Sequence, residues 1–276
     1  MFFGTLSMFG GIDLGAANAK CVLMDANGVT LSKAACKTGA SFASAAERVF
    51  ADAIAALALS PGEAAGQRRA EIEAVCSTGY GRASTGLASL TRTEISCQAL
   101  GCAHYFPGRA LTIVDIGGQD TKVIRLDSTG ARTDFRMNRK CAAGTGAFLE
   151  EMAHRLDIPL AEFDRMARTT SASAPISSFC TVFAATELIA RIRTGESKES
   201  IIRGIFVSLV KRVRELDPLD GDVALTGGVV AYHAVVADLL SAEIGRRVLV
   251  PPDPQFTGAL GAALVALKAR GARGPE

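Results

Sequence analysis

An internal repeat constrains the fold of this 276-residue chain more than any other feature of its sequence. Two short apolar runs, at 9–14 and 111–116, lead into the triplets DLG and DIG. A constant shift of 102 positions superimposes these two stretches without a gap, so we predict a duplicated unit and two related lobes. The positions that coincide are Asp13 with Asp115, Gly15 with Gly117, Lys20 with Lys122, Asp25 with Asp127, and Gly28 with Gly130.

The pattern within each repeat predicts three consecutive antiparallel strands. Second strands are expected at 19–25 and 121–127, and third strands at 29–36 and 131–137. Asn27-Gly28 between two of them is a strong signal for a tight hairpin turn. Strands alternate with helices in the rest of the chain, which predicts an α/β protein. Further strands are expected at 72–76, 222–225 and 248–250, and helices at 43–59, 94–105, 148–156, from 181 to about 195, at 202–216, 229–244 and 257–269.

The glycine loops at the strand ends are suited to phosphate binding. A turn rich in glycine lets backbone N–H groups approach phosphate oxygens, and a carboxylate at the strand end can hold Mg²⁺ through water. Asp13 and Asp115 are therefore the candidate Mg²⁺ groups, and Gln119 stands where an amide could orient water. A single turn of this kind is also common in ordinary β-hairpins. The prediction of a nucleotide site therefore depends on the repeat of the turn and on a third glycine loop. Gly15, Gly117 and Gly118 are expected to shape the two phosphate loops, and the third loop, Thr226-Gly227-Gly228, is expected to supply flat backbone against the adenosine.

Two cysteines, Cys141 and Cys180, each stand immediately before a predicted helix. Helix starts carry partial positive charge, which stabilises a thiolate or a thiolate-bound cluster. Two cysteines cannot fill the four thiolate positions of an ordinary iron–sulfur cluster, so a second subunit would have to supply the others. The alternative is core packing, because free cysteine is among the most buried residue types and this spacing matches no compact ligand motif.

Composition places the chain among ordinary globular proteins. Apolar residues make up 49% and charged residues 21%, with a net charge of +2, which provides no basic footprint for nucleic acid. No stretch is apolar for long enough to span a membrane. Seven cysteines without a secretory signal predict a reducing, cytoplasmic location.

The whole motif set resembles a known family. The duplicated loops and the TGG triplet at 226–228 are similar to those of the actin, sugar-kinase and heat-shock chaperone superfamily, whose two lobes close over ATP. More narrowly, the chain resembles the ATPase subunits of benzoyl-CoA reductase and the activators of 2-hydroxyacyl-CoA dehydratases. The motifs that carry this resemblance are STGYGR (77–82), TEISCQ (93–98), VDIGGQDTK (114–122), KCAAGTG (140–146), CTVFA (180–184) and PQFTGALGA (254–262).

The resemblance implies an α/β, two-lobed actin-like ATPase fold of duplicated ribonuclease H-like lobes, with ATP in the cleft between them. Lobe I is expected at 1–107, completed by a C-terminal helix at 256–270. Lobe II is expected at 108–255, and residues 271–276 are expected to form a disordered tail. A single [4Fe-4S] cluster is implied at the interface of two such subunits, with Cys141 and Cys180 as the ligands from this chain.

The resemblance also implies a set of residues that bind ATP and Mg²⁺, with Asp13, Asp115 and Gln119 in catalytic roles. Two departures from the family pattern suggest a specialised, weaker ATP site: alanines in the first loop replace hydroxyl residues, and Ala185-Thr186-Glu187 replaces Glu-Ser-Glu. The implied nucleotide-site residues are Asp13, Gly15, Ala16, Ala17, Asn18, Lys20, Asp115, Gly117, Gly118, Gln119, Asp120, Lys122, Glu187, Gly227, Gly228, Val229 and Gln255.

The function expected from the resemblance is ATP-driven electron transfer. A reduced ferredoxin would supply electrons, which pass by way of the shared cluster to subunits that reduce benzoyl-CoA. The altered first loop favours a heterodimer with a homologous ATPase subunit, since a heterodimer tolerates one degenerate ATP site. The alternative is a homodimeric activator of a 2-hydroxyacyl-CoA dehydratase. Rivals of another class are a small-molecule kinase of the same superfamily, with Cys141 and Cys180 merely buried, and a regulatory ATP-binding module.

Overall fold

The computed structural model of the protein describes residues 7–57, 69–138, 141–176 and 181–272. The chain divides into two compact units. Unit 1 comprises Met1–Pro107 and Phe256–Glu276, and unit 2 comprises Gly108–Gln255. Unit 2 is thus inserted between two segments of unit 1, and the chain passes between the units twice.

Unit 1 contains a five-stranded sheet in the order β3-β2-β1-β4-β5. β1 pairs antiparallel with β2 and parallel with β4. The strands are β1 (Met8–Leu14), β2 (Asn18–Asp25), β3 (Thr30–Lys37), β4 (Ile72–Thr78) and β5 (Leu90–Thr91), and the helices are α1 (Phe42–Ala55), α2 (Glu94–Tyr105) and the C-terminal α9 (Thr257–Ala272).

The two faces of the unit 1 sheet bury different helices. Ile12 and Leu14 of β1 pack on one face with Val49 and Ala53 of α1, a helical spacing that places both apolar side chains on one stripe. The other face carries Phe9 and the small residues of α9, including Ala259, Ala262 and Ala263. Because side chains alternate along a strand, β1 contributes to both cores.

Unit 2 contains a four-stranded sheet in the order β8-β7-β6-β9, with β6 parallel to β9 and antiparallel to β7. The strands are β6 (Leu111–Ile116), β7 (Thr121–Leu126), β8 (Arg132–Asn138) and β9 (Asp222–Thr226). The helices are α3 (Gly146–Leu156), α4 (Phe163–Arg168), α5 (Thr181–Arg193), α6 (Lys198–Leu216), α7 (Gly228–Tyr232) and α8 (Val235–Ile244), with a short 3₁₀ turn at Leu160–Glu162 and another, Pro254–Phe256, at the boundary with unit 1.

One continuous apolar core joins the sheet and helices of unit 2. Phe206 of α6 is fully buried and meets the ring of Phe163 edge-on, with 6.3 Å between the ring centroids. Phe148 and Met152 of α3 join the same core, four residues apart on one helical face. This core fixes the position of α3 against the sheet.

The predicted repeat is confirmed in the hairpin geometry. In unit 1 the carboxylate of Asp25 accepts hydrogen bonds from the N–H groups of Asn27 and Val29, each at 2.9 Å. In unit 2 the carboxylate of Asp127 accepts the equivalent bonds, from Thr129 at 2.9 Å and Ala131 at 3.0 Å. The backbone bond to Val29 is the largest contribution that lowers the pKa of Asp25.

Several predicted boundaries differ from the structure. The helix expected at 229–244 is two helices, because His233 between them has a non-helical backbone. The buried ring of His233 packs against the ring of Phe206, with 5.3 Å between the ring centroids. The strand expected at 248–250 is a single bridge between Leu249 and Ala224, with Pro251 immediately after it. β5 and α4 were not predicted, and α9 extends to Ala272, into the expected tail. Residues 273–276 lie outside the described part of the chain.

No helix within the described ranges has the length and apolarity that crossing a membrane requires.

Gly261 lets α9 approach α2 closely. A Cβ built at this position would lie 1.8 Å from the carbonyl oxygen of Cys97. We expect Gly261→Ala to lower the free energy of unfolding by about 1–3 kcal/mol or more, since the two helix backbones must separate. Gly86→Ala is the matched control, because its Cβ would meet no atom within 4 Å. Urea unfolding of both variants measures the difference, and equal stability would contradict the close-approach argument.

Candidate functional site

The first candidate loop lies at the carboxyl end of β1. Asp13 is buried, with 6% of its surface exposed, and its Oδ2 lies 3.5 Å from Nζ of Lys20 on the paired strand β2. The N–H of Gly15 donates to the carbonyl of Asn18 at 3.2 Å, which closes the turn between the strands. Thr38 braces the turn from outside the motif, since its hydroxyl donates to the carbonyl of Gly15 at 2.7 Å.

The second loop repeats this arrangement at the end of β6. Asp115 is 4% exposed, and its Oδ2 lies 3.6 Å from Nζ of Lys122 on β7. The N–H of Gly117 donates to the carbonyl of Asp120 at 2.9 Å, as Gly15 does to Asn18. Lys122 is only 1% exposed and also pairs with Oδ1 of Asp120 at 2.5 Å. A buried ammonium requires such partners, and the two carboxylates of Asp115 and Asp120 supply them.

A further equivalence escaped the sequence analysis. Thr78 lies opposite Asp13 in the β1–β4 pairing, and Thr226 lies opposite Asp115 in the β6–β9 pairing. Each threonine is followed by a glycine with positive φ, +87° at Gly79 and +101° at Gly227. A Cβ at Gly79 would lie 2.6 Å from Oδ1 of Asp13, and one at Gly227 would lie 2.8 Å from Oδ1 of Asp115. Both glycines therefore let the backbone pass directly against the aspartate.

The loop that carries Cys141 is hydrogen-bonded to the second candidate loop, that of Gly117 and Gly118. The first two residues of α3, Gly146 and Ala147, donate their N–H groups to the carbonyls of Gly117 at 2.9 Å and Gly118 at 2.7 Å. The first N–H groups of a helix have no partner within the helix, so the second candidate loop satisfies them. The two loops are thus joined backbone to backbone.

Side chains at the ends of two neighbouring strands brace the same cysteine loop. Asn138, the last residue of β8, donates through Nδ2 to the carbonyls of Cys141 at 3.1 Å and Ala143 at 3.2 Å. Thr121, its partner on β7, donates through its hydroxyl to the carbonyl of Gly144 at 2.5 Å. Sequence reasoning missed both residues, although their position at the ends of predicted strands was a usable signal.

The cysteines fall into distinct environments. Cys141 is half-buried at the start of its loop, while Cys180 lies outside the described residues. Cys21, Cys76, Cys97 and Cys102 are buried in the unit 1 interior, and Cys36 is half-buried on β3. Burial raises the pKa of the Cys21 thiol, and a hydrogen bond to Cys76 together with burial raises the pKa of the Cys97 thiol. A thiol whose pKa is raised is a poor metal ligand.

The other residues predicted for the nucleotide site lie in several elements of the two units. In the third loop, Gly227 donates its N–H to the carbonyl of Pro254 at 3.0 Å. Gln255 is the residue after Pro254, so this bond holds it next to the third loop. Gly228 and the buried Val229 are the first two residues of α7. Glu187 is half-buried on α5, on the same helix that follows Cys180. Ala16 lies in the first candidate loop and Gln119 in the second, and both are exposed. Ala17 and Asn18 are half-buried.

Comparison with known proteins agrees with this geometry. A family model described as the BadF/BadG/BcrA/BcrD ATPase family matches residues 11–266. The chain is 40% identical over 262 residues to the activator of lactoyl-CoA dehydratase from Anaerotignum propionicum, covering 94% of this chain and 97% of that protein. It is 30% identical to a benzoyl-CoA reductase subunit from Thauera aromatica, over 73% of this chain and 74% of that protein.

A solved structure supports the same assignment. The activator of the 2-hydroxyisocaproyl-CoA dehydratase from Clostridium difficile with bound ADPNP superimposes with a TM-score of 0.87 at 34% identity, covering 96% of each chain. The predicted actin-like ATPase fold is therefore confirmed. The chain belongs to the BadF/BadG/BcrA/BcrD ATPase family.

Proposed function

We propose that this chain is the ATP-hydrolysing activator of a 2-hydroxyacyl-CoA dehydratase, to which it delivers single electrons as a dimer of identical copies. The sequence favoured a role in benzoyl-CoA reductase, but the relatives support the alternative. The activator of lactoyl-CoA dehydratase shares 40% identity over 94% of the chain, whereas the benzoyl-CoA reductase relative shares 30% over 73%.

The observation that carries the proposal is the backbone connection between phosphate loop and cysteine loop. An activator must make the environment of its electron carrier depend on the nucleotide. Because the N–H groups of Gly146 and Ala147 bind the carbonyls of Gly117 and Gly118, a displacement of the phosphate loop displaces the start of α3 and the loop of Cys141. In an electron carrier this connection gives the nucleotide loop a direct mechanical link to the cluster ligand.

The residues present fit the implied groups. Oδ1 of Asp13 is buried and makes no hydrogen bond with any residue in the described ranges, so this carboxylate keeps an unused acceptor that a bound ligand would satisfy. Lys20 and Lys122 offset the charge of Asp13 and Asp115. Cys141 is a half-buried thiol in a braced loop, and with Cys180 it would hold a [4Fe-4S] group jointly with a second copy. When bound, such a group supplies a one-electron carrier.

The outward side of α5 supports a protein partner. Val182 and Phe183 are 67% and 66% exposed, and Ile189 and Ile192 are 53% and 50% exposed, while Ala184 and Leu188 face the core. Four exposed apolar residues on one short helix mark an interaction surface. Because α5 begins directly after Cys180, we propose that a second copy covers this side and adds its own two cysteines.

Replacing the proposed ligand tests the iron-binding part of the function. We expect Cys141→Ser, purified or reconstituted without oxygen, to lose most of its iron and sulfide and its visible absorption, because a hydroxyl does not replace a thiolate. Cys36→Ser is the control, since Cys36 is also half-buried but lies on β3. Iron and sulfide assays decide, and a cluster that persists in Cys141→Ser would refute the ligand assignment.

A charge on α5 tests the proposed second copy. We expect Phe183→Asp to weaken self-association roughly 30-fold, the effect of removing an interface anchor worth about 2 kcal/mol, and to lower the iron content with it. Val29→Asp introduces the same charge at a position that is 57% exposed in the unit 1 hairpin, and serves as control. Analytical ultracentrifugation measures both, and an unchanged dimer would exclude this side of α5 from the interface.

The activity itself is tested with a defined acceptor. The chain, with MgATP and excess dithionite as electron donor, is mixed with lactoyl-CoA dehydratase or with the benzoyl-CoA-reducing subunits, and product is followed by chromatography. We expect ATP-dependent dehydration in the first mixture and no reduction in the second. If only benzoyl-CoA is reduced, the chain is a benzoyl-CoA reductase subunit and the proposal is wrong. Phosphorylation of a small molecule by iron-free protein would favour the kinase alternative.

A further inference from the structure

Thr226, the last residue of β9, is fully buried and contacts the aspartate of the second phosphate loop. Its hydroxyl donates to Oδ1 of Asp115 at 3.1 Å. The other carboxylate oxygen, Oδ2, lies 3.6 Å from Nζ of Lys122. Each oxygen of Asp115 thus has its own polar neighbour, from β9 on one side and from β7 on the other, and rotation of the carboxylate would break both contacts.

The corresponding contact does not occur in unit 1. Thr78 occupies the same register position opposite Asp13, yet no hydrogen bond joins the two side chains, and Oδ1 of Asp13 makes no hydrogen bond to any residue the structure describes. The bond between Thr226 and Asp115 is therefore not an automatic consequence of the duplicated scaffold. It distinguishes the second aspartate from the first.

The backbone around Thr226 is held on both sides. Thr226 pairs with Asp115 in the parallel β6–β9 ladder, and the N–H of the next residue, Gly227, donates to the carbonyl of Pro254 at 3.0 Å. Gly227 also passes so close to Ile116 that a Cβ would lie 2.3 Å from its carbonyl oxygen. A hydroxyl on such a fixed backbone is a preorganised donor, because no reorganisation is needed when the carboxylate acts.

We propose that Thr226 is a positioning residue that fixes the carboxylate of Asp115 for the magnesium–nucleotide complex. It also links the turn at Gly227 and Gly228 to the phosphate loop, since one residue both begins that turn and binds the aspartate. The inference rests on the proposed nucleotide role of Asp115, but requires neither iron nor an electron acceptor. Thr226 acts through Asp115 and is not itself assigned to the reacting atoms.

Three substitutions separate this role from ordinary burial of a hydroxyl. Thr226→Val keeps the shape and removes the donor, and Thr226→Ser keeps the donor. The control is Thr112→Val: Thr112 is also a buried strand threonine of the unit 2 sheet, but its hydroxyl donates to the carbonyl of Asp220 at 2.7 Å. Calorimetric titration of each protein with ADP, with and without Mg²⁺, is the principal measurement, and ATP turnover is recorded in parallel.

We expect Thr226→Val to bind MgADP roughly 10-fold more weakly or worse, as for loss of a hydrogen bond to a charged group, while its affinity for ADP without Mg²⁺ is retained. Thr226→Ser should recover MgADP affinity to within about threefold of the wild type, because the donor is restored. Thr112→Val should lower the melting temperature and leave both affinities unchanged. Thr226→Ala replaces the valine variant if that one does not fold.

Wild-type MgADP affinity in Thr226→Val, equal losses in the serine variant, or the same loss in Thr112→Val would each overturn the positioning role. Failure of the proposed function is recognised separately. A wild-type protein that binds MgADP but holds no iron refutes electron transfer and leaves the Thr226 experiment fully interpretable.

Discussion

Two backbone hydrogen bonds, from the first residues of α3 to the carbonyls of Gly117 and Gly118, are the constraint on which the site in unit 2 depends. They satisfy helix-terminal N–H groups that would otherwise need solvent or a side chain. The core contacts of Phe148 and Met152 hold the same helix from its other side. The loop of Gly117 and Gly118 and the loop of Cys141 are therefore joined to each other and, through α3, to the core of unit 2.

The buried charges of the two loops follow a single plan. Each aspartate is the second-to-last residue of an inner strand, and each has a lysine from the neighbouring strand within 3.6 Å. Burying a carboxylate without a partner is unfavourable, and the lysine offsets much of that penalty. In unit 2, Asp120 pairs with the same lysine, and the hydroxyl of Thr226 donates to Asp115. In unit 1, Oδ1 of Asp13 accepts no hydrogen bond from any described residue. The duplicated scaffold thus carries two aspartates with different local chemistry.

The sequence predicted those features that depend on local chemistry. The hairpins were predictable because turn residues such as Gly28 determine backbone conformation over a few residues. The equivalence of Thr78 and Thr226 was not, because the helices α3 to α6 are inserted before β9 and change the shift from 102 to 148 positions. The roles of Asn138 and Thr38 depend on which carbonyl lies nearby, and the break at His233 depends on Phe206, so only tertiary structure reveals them.

The insertion of unit 2 within unit 1 has a consequence for synthesis on the ribosome. One face of the unit 1 sheet is covered by α9, which follows all of unit 2 along the chain. While the nascent polypeptide emerges, Phe9 and the neighbouring side chains of that face lack their final cover until residues beyond 257 have left the exit tunnel. Unit 2 is continuous in sequence and has its own core, so it can complete folding first. Until α9 is made, the unit 1 sheet keeps an apolar face exposed, to which chaperones can bind.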